Sequence, residues 1–452
     1  MNKQTIRFVW QWININYEDY FETSNCVVAN PLFKRDLTSF DGLIKTILKN
    51  EAIRQATTLN FIASENLVSR AVLEAQNNVF INKYAEGYPG CRYYEGCEFA
   101  DELENVAIER AKDLFKCKYA NVQPHSGSQM NQAAMLALLS PGDTIMGMDL
   151  KCGGHLSHGS TVNISGMWFK SVSYGVDPKT GLIDMNRVLN CAIRHRPKLI
   201  IAGASSYPRT IDWKIFRRIA DIVDSYLMAD ISHIAGLVVS GLYPSPINYC
   251  DIVTTTTHKS LRGPRGGLIL SNNQELFEYI SDAVFPGLQG GPMINIIAAK
   301  AVAFLEAKQD DYKVWGKSVI ENAKAMVGRF KNKKIDVVSG GTDNHLVVID
   351  LRGLGITGKQ AAAWLDRCYI VSNKNTIPND LLSAGITSGL RLGTCACTSR
   401  GLKKEDFERI ADIIADILLE IKEKGEVSLT LEVNTRREVL SFADKYPICY
   451  NV

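Results

Sequence analysis

Helical and strand-like segments alternate along the chain from residue 30 onward, and this alternation constrains the fold more than any other feature of the sequence. The segment Trp213–Tyr226 carries apolar residues at helical spacing and leads directly into an apolar run. Three such runs end next to polar side chains: 227–229 before Asp230, 198–202 before Ser205, and 251–256 before His258 and Lys259. Alternation of this kind predicts an α/β domain with a mostly parallel sheet, which binds ligands at the carboxyl ends of its strands.

The length of the chain and a change in the pattern of predicted helices and strands indicate the domain organisation. The chain has 452 residues, whereas a single core usually stops growing at ~250–300 residues. After a helical stretch at 292–309, shorter segments follow: a strand at 345–351, a helix at 358–367, a strand at 389–393 and an amphipathic helix at 404–424. We therefore expect three parts: an N-terminal extension over residues 1–30, an N-terminal arm with the large domain over 31–310, and a smaller C-terminal α+β domain over 311–452. Disorder is one interpretation of the extension.

Composition excludes several classes of protein. The net charge is +3, from 51 basic and 48 acidic residues without a long run of one sign, which argues against a nucleic-acid-binding tail. No apolar stretch approaches the roughly 20 residues that span a bilayer. The eleven cysteines lack the spacing of a zinc site, and their odd number indicates reduced thiols in a cytoplasmic protein. The acidic residues Glu18, Asp19 and Glu22 argue against a transit peptide, so an extension from an upstream start codon is the preferred interpretation of the first thirty residues.

The segment Thr254–Gly267 places Lys259 after a run of threonines and before several glycines. A lysine in such a setting is suited to form a Schiff base with a carbonyl cofactor. Arg262 and Arg265 would help keep its amine deprotonated through the repulsion of like charges. The alternative is an ordinary surface lysine in a glycine-rich loop.

Asp230 stands at the end of a buried strand, and His233 follows three residues later. Pyridoxal phosphate accepts electrons only while its pyridine nitrogen is protonated, and a buried carboxylate opposite that nitrogen keeps it so. A helix cap or a metal ligand is the alternative role for such an aspartate. Its combination with Lys259 favours the cofactor.

Ser126, Gly127 and Ser128 form a turn between a short apolar run and the helical segment 130–139. The turn offers backbone N–H groups, two hydroxyls and the positive end of a helix dipole to a phosphate. Simple helix capping is the alternative. Because the glycine pattern of dinucleotide sites is absent, a single phosphate suits the turn better.

Three segments, Asn82–Gly90, Thr254–Gly267 and Phe285–Pro292, resemble the serine hydroxymethyltransferase family, and the similarity runs from about residue 30 nearly to the C-terminus. The resemblance implies the pyridoxal-phosphate-dependent transferase fold of type I and active sites shared across a homodimer, and it leaves open whether dimers pair into tetramers. It also implies the reaction: serine displaces Lys259 from the cofactor, the Cα–Cβ bond breaks, glycine is released, and the one-carbon unit passes to tetrahydrofolate.

The same resemblance implies the roles of individual cofactor-binding residues. Lys259 would bind the cofactor covalently, with His258 next to it, and Asp230 would pair with the pyridine nitrogen. His155 would stack on the ring, while Ser205 and His233 would lie near its phenolic oxygen. The phosphate would be held by two groups of residues, which are Ser126, Gly127 and Ser128 of one subunit and Gly290 and Gly291 of the other.

The substrate side is implied in the same way. Arg391 would grip the substrate carboxylate through two parallel hydrogen bonds, with help from Ser64. Tyr84 and Glu86 would come from the neighbouring subunit, with Tyr94 beside them, and Glu86 would relay a proton. Folate would be contacted by Leu150, Gly154 and Asn375, together with Glu86. No metal is expected.

Two other functions remain open at this stage. One is a folate-independent aldolase acting on threonine and other β-hydroxy amino acids, against which the matches at Glu86, Leu150 and Asn375 argue. The other is a catalytically silent scaffold protein, against which the presence of Lys259, Asp230 and Arg391 argues. The chain departs from the family's usual residues at five positions outside the expected catalytic set, which are Cys91, Glu95, Cys152, Asn295 and Cys395.

Overall fold

The structure is a computed structural model that describes residues 35–448, so the predicted extension over residues 1–30 lies outside the described residues. The strands are β1 (Leu59–Asn60), β2 (Gly87–Tyr88), β3 (Cys91–Arg92), β4 (Tyr119–Asn121), β5 (Thr144–Met148), β6 (Lys170–Tyr174), β7 (Leu199–Gly203), β8 (Tyr226–Asp230), β9 (Ile252–Thr256), β10 (Gly267–Ser271), β11 (Asp336–Val337), β12 (Leu346–Asp350), β13 (Ile370–Val371), β14 (Asn373–Asn375) and β15 (Gly389–Gly393).

The α-helices are α1 (Leu37–Phe40), α2 (Gly42–Thr57), α3 (Arg70–Gln76), α4 (Glu98–Phe115), α5 (Gly127–Leu138), α6 (Ile164–Trp168), α7 (Met185–His195), α8 (Trp213–Val223), α9 (Ala235–Val239), α10 (Gln274–Asp282), α11 (Ile294–Ala307), α12 (Asp310–Asn332), α13 (Gly358–Arg367), α14 (Cys395–Arg400), α15 (Lys404–Lys424) and α16 (Leu429–Lys445). Between residues 35 and 448, no helix combines the length and apolarity needed to cross a membrane.

A seven-stranded sheet in the order β4-β10-β9-β8-β7-β5-β6 forms the centre of the fold. The strands β9, β8, β7, β5 and β6 run parallel, whereas β10 is antiparallel to both of its neighbours. The observed strands β7, β8 and β9 agree with the three predicted apolar runs to within one residue at most ends. The predicted α/β architecture with a mostly parallel sheet is therefore confirmed.

Both faces of this sheet are buried. Leu227 and Ala229 of β8 belong to one hydrophobic cluster, and Met228 between them belongs to another. Successive residues of a strand point to opposite faces, so the two clusters lie on opposite sides of the sheet. Burial on both faces explains why the strands read in the sequence as continuous apolar runs.

Helix α8 shows how the sequence delivers Asp230 to the end of its strand. Asp212 caps the helix by accepting a hydrogen bond from the backbone N–H of Ile215 at 3.0 Å. At the other end, Asp224 adopts a left-handed conformation that turns the chain into β8. The buried face of the helix repeats at the predicted spacing and consists of Trp213, Phe216, Ile219, Ala220 and Val223.

A second, four-stranded antiparallel sheet has the order β11-β12-β15-β14. It has its own hydrophobic cluster, in which Val347 of β12 and Leu392 of β15 pack with residues of α12, α13 and α15. The helix predicted at 404–424 occurs with those bounds as α15. This separate core supports a boundary near residue 310, which remains a prediction. By its internal contacts the described chain divides into one unit that ends at Arg54 and another that begins at Gln55.

Candidate active site

A cavity of about 520 Å³ opens at the carboxyl ends of the parallel strands of the large sheet. Most of the residues predicted from the sequence lie in its wall, and they are Ser64, Ser126, Gly127, Ser128, Leu150, Gly154, His155, Ser205, Asp230, His233, His258, Lys259 and Arg391. These residues come from segments that are widely separated in the sequence. The strand ends that were expected to deliver polar groups to one place therefore do so.

Lys259 is buried in the wall of this cavity. Its Nζ donates a hydrogen bond to Thr256 Oγ1 at 3.2 Å, and its backbone carbonyl accepts one from Asn66 Nδ2 at 3.0 Å. Burial lowers the pKa of Lys259 to about 8, against the opposing charge of Asp230 and with a contribution from Arg391. A substantial fraction of the amine is therefore neutral and nucleophilic near neutral pH.

The two arginines predicted to act on Lys259 differ in their surroundings. Arg265 lines the cavity and lowers the pKa of Lys259, as predicted. Arg262 instead lies over the rings of Tyr312 and Trp315, 5.5 Å from each ring centroid. The sequence could not distinguish the roles of the two arginines, because the orientation of Arg262 depends on Tyr312 and Trp315, which lie far from it along the chain.

The carboxylate of Asp230 is held by four hydrogen bonds. Its Oδ1 accepts from the backbone N–H of Ser232 at 3.0 Å and from the hydroxyl of Ser232 at 2.6 Å. Its Oδ2 accepts from Asn131 Nδ2 and from His158 Nε2, each at 2.9 Å. Burial raises the pKa of Asp230, but the hydrogen bond and charge of His158 outweigh it and hold this pKa well below its usual range. The carboxylate therefore stays ionised over the whole physiological range of pH.

The imidazole of His155 has a fixed tautomer. Its Nδ1 accepts a hydrogen bond from the backbone N–H of Ser157 at 3.1 Å, and the hydroxyl of Ser157 lies 2.7 Å from the same nitrogen. Because a backbone N–H can only donate, Nδ1 carries no proton and Nε2 carries the hydrogen. Burial lowers the pKa of His155 to about 4, so the ring is neutral.

The turn at Ser126 combines a helix cap with a close approach to the cavity. Ser126 Oγ accepts from the backbone N–H of Gln129 at 3.3 Å and caps α5, so the capping role considered from the sequence is present. A Cβ atom at Gly127 would lie 2.6 Å from Thr256 Cγ2, so only glycine fits there. The first N–H groups of a helix have no partner within the helix, and here they border the cavity.

Two buried histidine nitrogens beside the turn, His125 Nε2 and His258 Nδ1, find no hydrogen-bond partner among the described residues. Burial lowers the pKa of His258 to about 3, so its ring is neutral. Buried polar atoms are rarely left without a partner in folded proteins. Both side chains line the cavity, and a polar ligand there could satisfy them.

Arg391 projects from β15 as a half-buried cation. Its Nη1 donates to the carbonyl of Ser205 at 2.8 Å and its Nε to Asn373 Oδ1 at 3.2 Å. Within residues 35–448 no carboxylate forms an ion pair with it. Burial lowers its pKa to about 10, which still leaves the guanidinium charged. A guanidinium in a cavity wall without a carboxylate partner is a site for an anionic ligand.

The remaining predicted residues form a second cluster. Tyr94 donates to Glu86 Oε2 at 2.9 Å and Tyr84 lies 3.4 Å from Glu86 Oε1. A Cβ atom at Gly290 would lie 3.0 Å from Glu86 Oε1, and one at Gly291 would lie 3.0 Å from the ring of Tyr84. As far as the described chain shows, none of these residues lines the cavity around Lys259. Their predicted origin in a second subunit remains a prediction.

Asn375 lies next to the cavity rather than in its lining. Its Nδ2 donates to Ser206 Oγ at 3.3 Å, beside the cavity residue Ser205. The neighbouring Thr376 donates to the carbonyl of Leu150 at 3.3 Å, and Leu150 does line the cavity. Leu150 and Asn375, two of the residues expected to contact folate, therefore lie near each other, whereas Glu86 belongs to the second cluster.

Several cavity residues escaped the sequence reasoning, and two of them, Asn131 and His158, donate to Asp230 from distant parts of the chain. Asn131 lies one turn along α5 from Gly127, and His158 lies three residues after His155, so both were near predicted positions. Their partner is 99 and 72 residues away along the chain, respectively. A single sequence carries no signal for pairs at such a separation.

The departures from the family's usual residues lie outside the cavity wall. Burial raises the pKa of the thiols of Cys152 and Cys395, which makes both poor nucleophiles. Cys91 is exposed, and Asn295 donates to the carbonyl of Gln76 at 3.1 Å. Among the described residues, no group of histidine, cysteine or carboxylate side chains is arranged to hold a metal ion.

Comparison with known proteins gives a consistent result. A family model described as serine hydroxymethyltransferase matches residues 37–414. The "Probable serine hydroxymethyltransferase" of Rickettsia bellii (strain RML369-C) is 57% identical over 418 residues, which are 91% of this chain and 100% of that relative. The enzyme of Rickettsia canadensis (strain McKiel) is 59% identical over 86% of this chain and 92% of its own length. That of Ehrlichia ruminantium (strain Gardel) is 52% identical over 91% of this chain and 98% of its own length.

Proposed function

The chain belongs to the serine hydroxymethyltransferase family, and we propose that the cavity around Lys259 is its active site. The reaction is the reversible conversion of L-serine and tetrahydrofolate to glycine and 5,10-methylenetetrahydrofolate, a pyridoxal-phosphate-dependent transfer of class EC 2.1.2.1 that supplies one-carbon units. The fold is accordingly that of the type I pyridoxal-phosphate enzymes. The names of the relatives favour this reaction over the folate-independent aldolase considered from the sequence.

The observation that carries the proposal is the meeting of two buried groups, Lys259 and Asp230, and the half-buried Arg391 in one cavity. Lys259 supplies an amine whose pKa burial lowers to about 8, and Asp230 supplies a carboxylate held ionised by His158. Arg391 supplies a guanidinium without a carboxylate partner among the described residues. A buried nucleophile, a buried anion and an unpaired cation together suit a carbonyl cofactor and an amino-acid substrate.

The residues present fit pyridoxal phosphate. The turn that begins at Ser126 and opens α5 offers N–H groups and hydroxyls for the phosphate, and the unpartnered nitrogens of His125 and His258 border the same space. Asp230 would meet the pyridine nitrogen and Lys259 the aldehyde. When bound, the cofactor supplies an aldehyde carbon for amino groups and a protonated ring that takes up the electron pair of the breaking Cα–Cβ bond.

The side chains of the protein position the ligands and transfer protons. Lys259 would hold the cofactor through its amine, and a pKa of about 8 lets this amine both lose and take up a proton near neutral pH. Asp230 keeps its charge because Asn131 and His158 donate to it. His155, neutral and with its hydrogen on Nε2, offers a flat face to the cofactor ring.

The substrate carboxylate would bind to Arg391, with Ser64 in the same wall. The guanidinium already donates to Ser205 and Asn373, so its plane is fixed before the substrate arrives. Fixed orientation reduces the entropy lost on binding and places the Cα–Cβ bond reproducibly. His233 and Ser205 would lie near the phenolic oxygen of the cofactor.

We further propose a homodimer that shares its active sites. Glu86 with Tyr84 and Tyr94, and Gly290 with Gly291, form one cluster that is separate from the cavity of their own chain. In a dimer this cluster would complete the partner's cavity, where Glu86 would relay a proton between substrate and folate. Folate would lie along Leu150, Gly154 and Asn375.

Cytoplasmic location is also proposed, because the nine cysteines within residues 35–448 are free thiols. Free thiols, several of them buried, suit a reducing compartment. Neither a membrane nor a nucleic acid is expected as a partner.

Borohydride reduction of the protein loaded with pyridoxal phosphate, followed by peptide mass spectrometry, tests the proposed site. We expect the label on Lys259, and its loss in Lys259→Ala. The exposed Lys198, which pairs with Asp143 at 2.8 Å, provides a control, since Lys198→Ala should leave the label unchanged. A label on another lysine, or none, would refute the proposal.

A further inference from the structure

Lys300 is a fully buried lysine on α11 that the proposed reaction does not use. Its Nζ donates to three backbone carbonyls, those of Val122 at 2.7 Å, Pro124 at 3.0 Å and Gly267 at 2.9 Å. An ammonium group has three hydrogens, so all three are used. The geometry is that of a charged amine, because a neutral one would point its lone pair at a carbonyl oxygen.

The three carbonyls surround the base of the turn Ser126–Ser128. Strands β4 and β10 are paired at Asn121 and Ile269. Just beyond that pair, the backbone N–H of Gly267 donates to the carbonyl of Pro124 at 2.9 Å, and the chain leaves the sheet to form the turn. Lys300 therefore fixes both strands at the point where the turn begins.

A second contact ties Lys300 to the other side of the cavity. A Cβ atom at Gly266 would collide with Cε of Lys300, so the loop that follows Lys259 packs directly on this side chain. Gly266 lines the cavity, and its carbonyl accepts from the backbone N–H of Thr257 at 3.1 Å. One side chain thus supports both walls of the expected phosphate site.

The charge of Lys300 is not neutralised within the described residues, where it forms no ion pair. Burial lowers the pKa of Lys300 to about 7, and Glu104 opposes this lowering, although that carboxylate is bonded to Arg92 at 2.7 Å. The three carbonyl acceptors of Nζ favour the charged form of the amine. The pKa of His125, which lines the cavity, is lowered by burial and then by the charge of Lys300. The pKa of His258 is lowered by burial, Lys259 and Arg265, with a smaller contribution from Lys300. A buried cation without a counter-ion is unfavourable, and a dianion in the adjacent turn would offset that cost.

We propose that Lys300 is a positioning residue for the phosphate of the cofactor, which it serves by fixing the base of the turn Ser126–Ser128 and by adding positive charge beneath it. The inference rests on the proposed function, because it places the phosphate of pyridoxal phosphate in that turn. The role proposed for Lys300 concerns the phosphate of the cofactor, whereas the aldehyde of the cofactor is assigned to Lys259.

Pyridoxal phosphate and pyridoxal share the aldehyde and the ring, but only pyridoxal phosphate carries a phosphate. A comparison of their affinities therefore separates an effect on phosphate binding from an effect on the rest of the site. Cofactor is removed from the holoenzyme and each compound is rebound to the wild type, Lys300→Gln and Lys300→Met. Gln keeps two N–H donors without the charge, and Met keeps neither. We expect both variants to bind pyridoxal phosphate at least about tenfold more weakly, as when one member of a buried charge pair is removed. Pyridoxal affinity should change by less than about threefold.

Asn322→Leu is the matched control, because Asn322 is another buried polar residue, bonded to Thr398 Oγ1 at 2.9 Å and absent from the cavity wall. It should lower stability without changing the ratio of the two affinities. Parallel loss of both affinities in the Lys300 variants, or no loss, would overturn the proposal. So would failure of both variants to fold with saturating cofactor, since Lys300 would then be purely structural. Wild-type protein that binds neither compound would instead count against the proposed function.

Discussion

The ionisation of Lys259 determines when the cofactor can attach. Its pKa of about 8 lies below the ordinary value because the side chain is buried, with the opposing charge of Asp230 and a further contribution from Arg391. A lowered pKa means that the neutral amine is the minor form at pH 7 and the major form at pH 9. We expect the rate at which pyridoxal phosphate attaches to the apoprotein to rise across this range, with a midpoint near pH 8, in stopped-flow absorbance measurements. A rate that is flat between pH 7 and pH 9 would contradict this assignment.

Arg391 distinguishes substrate binding from cofactor binding. Its guanidinium is half-buried and lacks a carboxylate partner within residues 35–448, so its removal should affect a ligand carboxylate first. We expect Arg391→Ala to weaken serine binding by about 2–5 kcal/mol, the usual cost of deleting one partner of a buried charge pair. The affinity for pyridoxal phosphate should change far less, and Arg391→Lys should recover part of the loss. Equal losses for serine and cofactor in calorimetric titrations would exclude the carboxylate role.

The first residue of helix α5 is a glycine that leaves no room for a side chain beside the cavity. Gly127 opens α5, and a methyl group there would lie 2.6 Å from Thr256 Cγ2. We expect Gly127→Ala to lower the free energy of unfolding by about 1–3 kcal/mol through overpacking, and to weaken cofactor binding. Gly328 on α12 is the matched control, since its Cβ would meet nothing within 4 Å. Gly328→Ala should raise the free energy of unfolding by about 0.4–1 kcal/mol, as measured by urea denaturation. Similar destabilisation by both changes would rule out overpacking at Gly127.

The elements that the sequence predicted are those whose pattern is long and local. Helix α15 was predicted with its observed bounds because its apolar residues repeat over 21 residues. Strands β8 and β9 were visible because burial on both faces makes them apolar throughout. By contrast β1, two residues long and paired with β13 across about 310 positions, carries no local signal. The site followed the same rule: Lys259 and Asp230 stand at strand ends, whereas Asn131 and His158 reach Asp230 only through the folded chain.

At the scale of the whole molecule, the proposed dimer predicts complementation between subunits. In a mixed dimer of Lys259→Ala and Glu86→Gln chains, one site would combine the intact Lys259 of one chain with the intact Glu86 of the other, and the second site would lack both. Random mixing makes half of the dimers hybrids, so about one quarter of the sites should be active. We expect that recovery in folate-dependent serine cleavage after the two inactive variants are unfolded together and refolded. Mixtures as inactive as the separate variants would mean that each chain uses its own Glu86.

Gln289 connects the turn at Ser126 with the glycines that are expected to reach the partner subunit in the proposed dimer. Its side chain accepts from the backbone N–H of His125 at 2.9 Å and donates to the carbonyl of Gln123 at 3.1 Å, so it fixes the segment between β4 and the turn at Ser126. The next two residues, Gly290 and Gly291, are those expected to serve the neighbouring chain. Loading one subunit with cofactor would therefore stiffen a loop that its neighbour uses, and the two halves of the dimer would fill with positive cooperativity rather than independently.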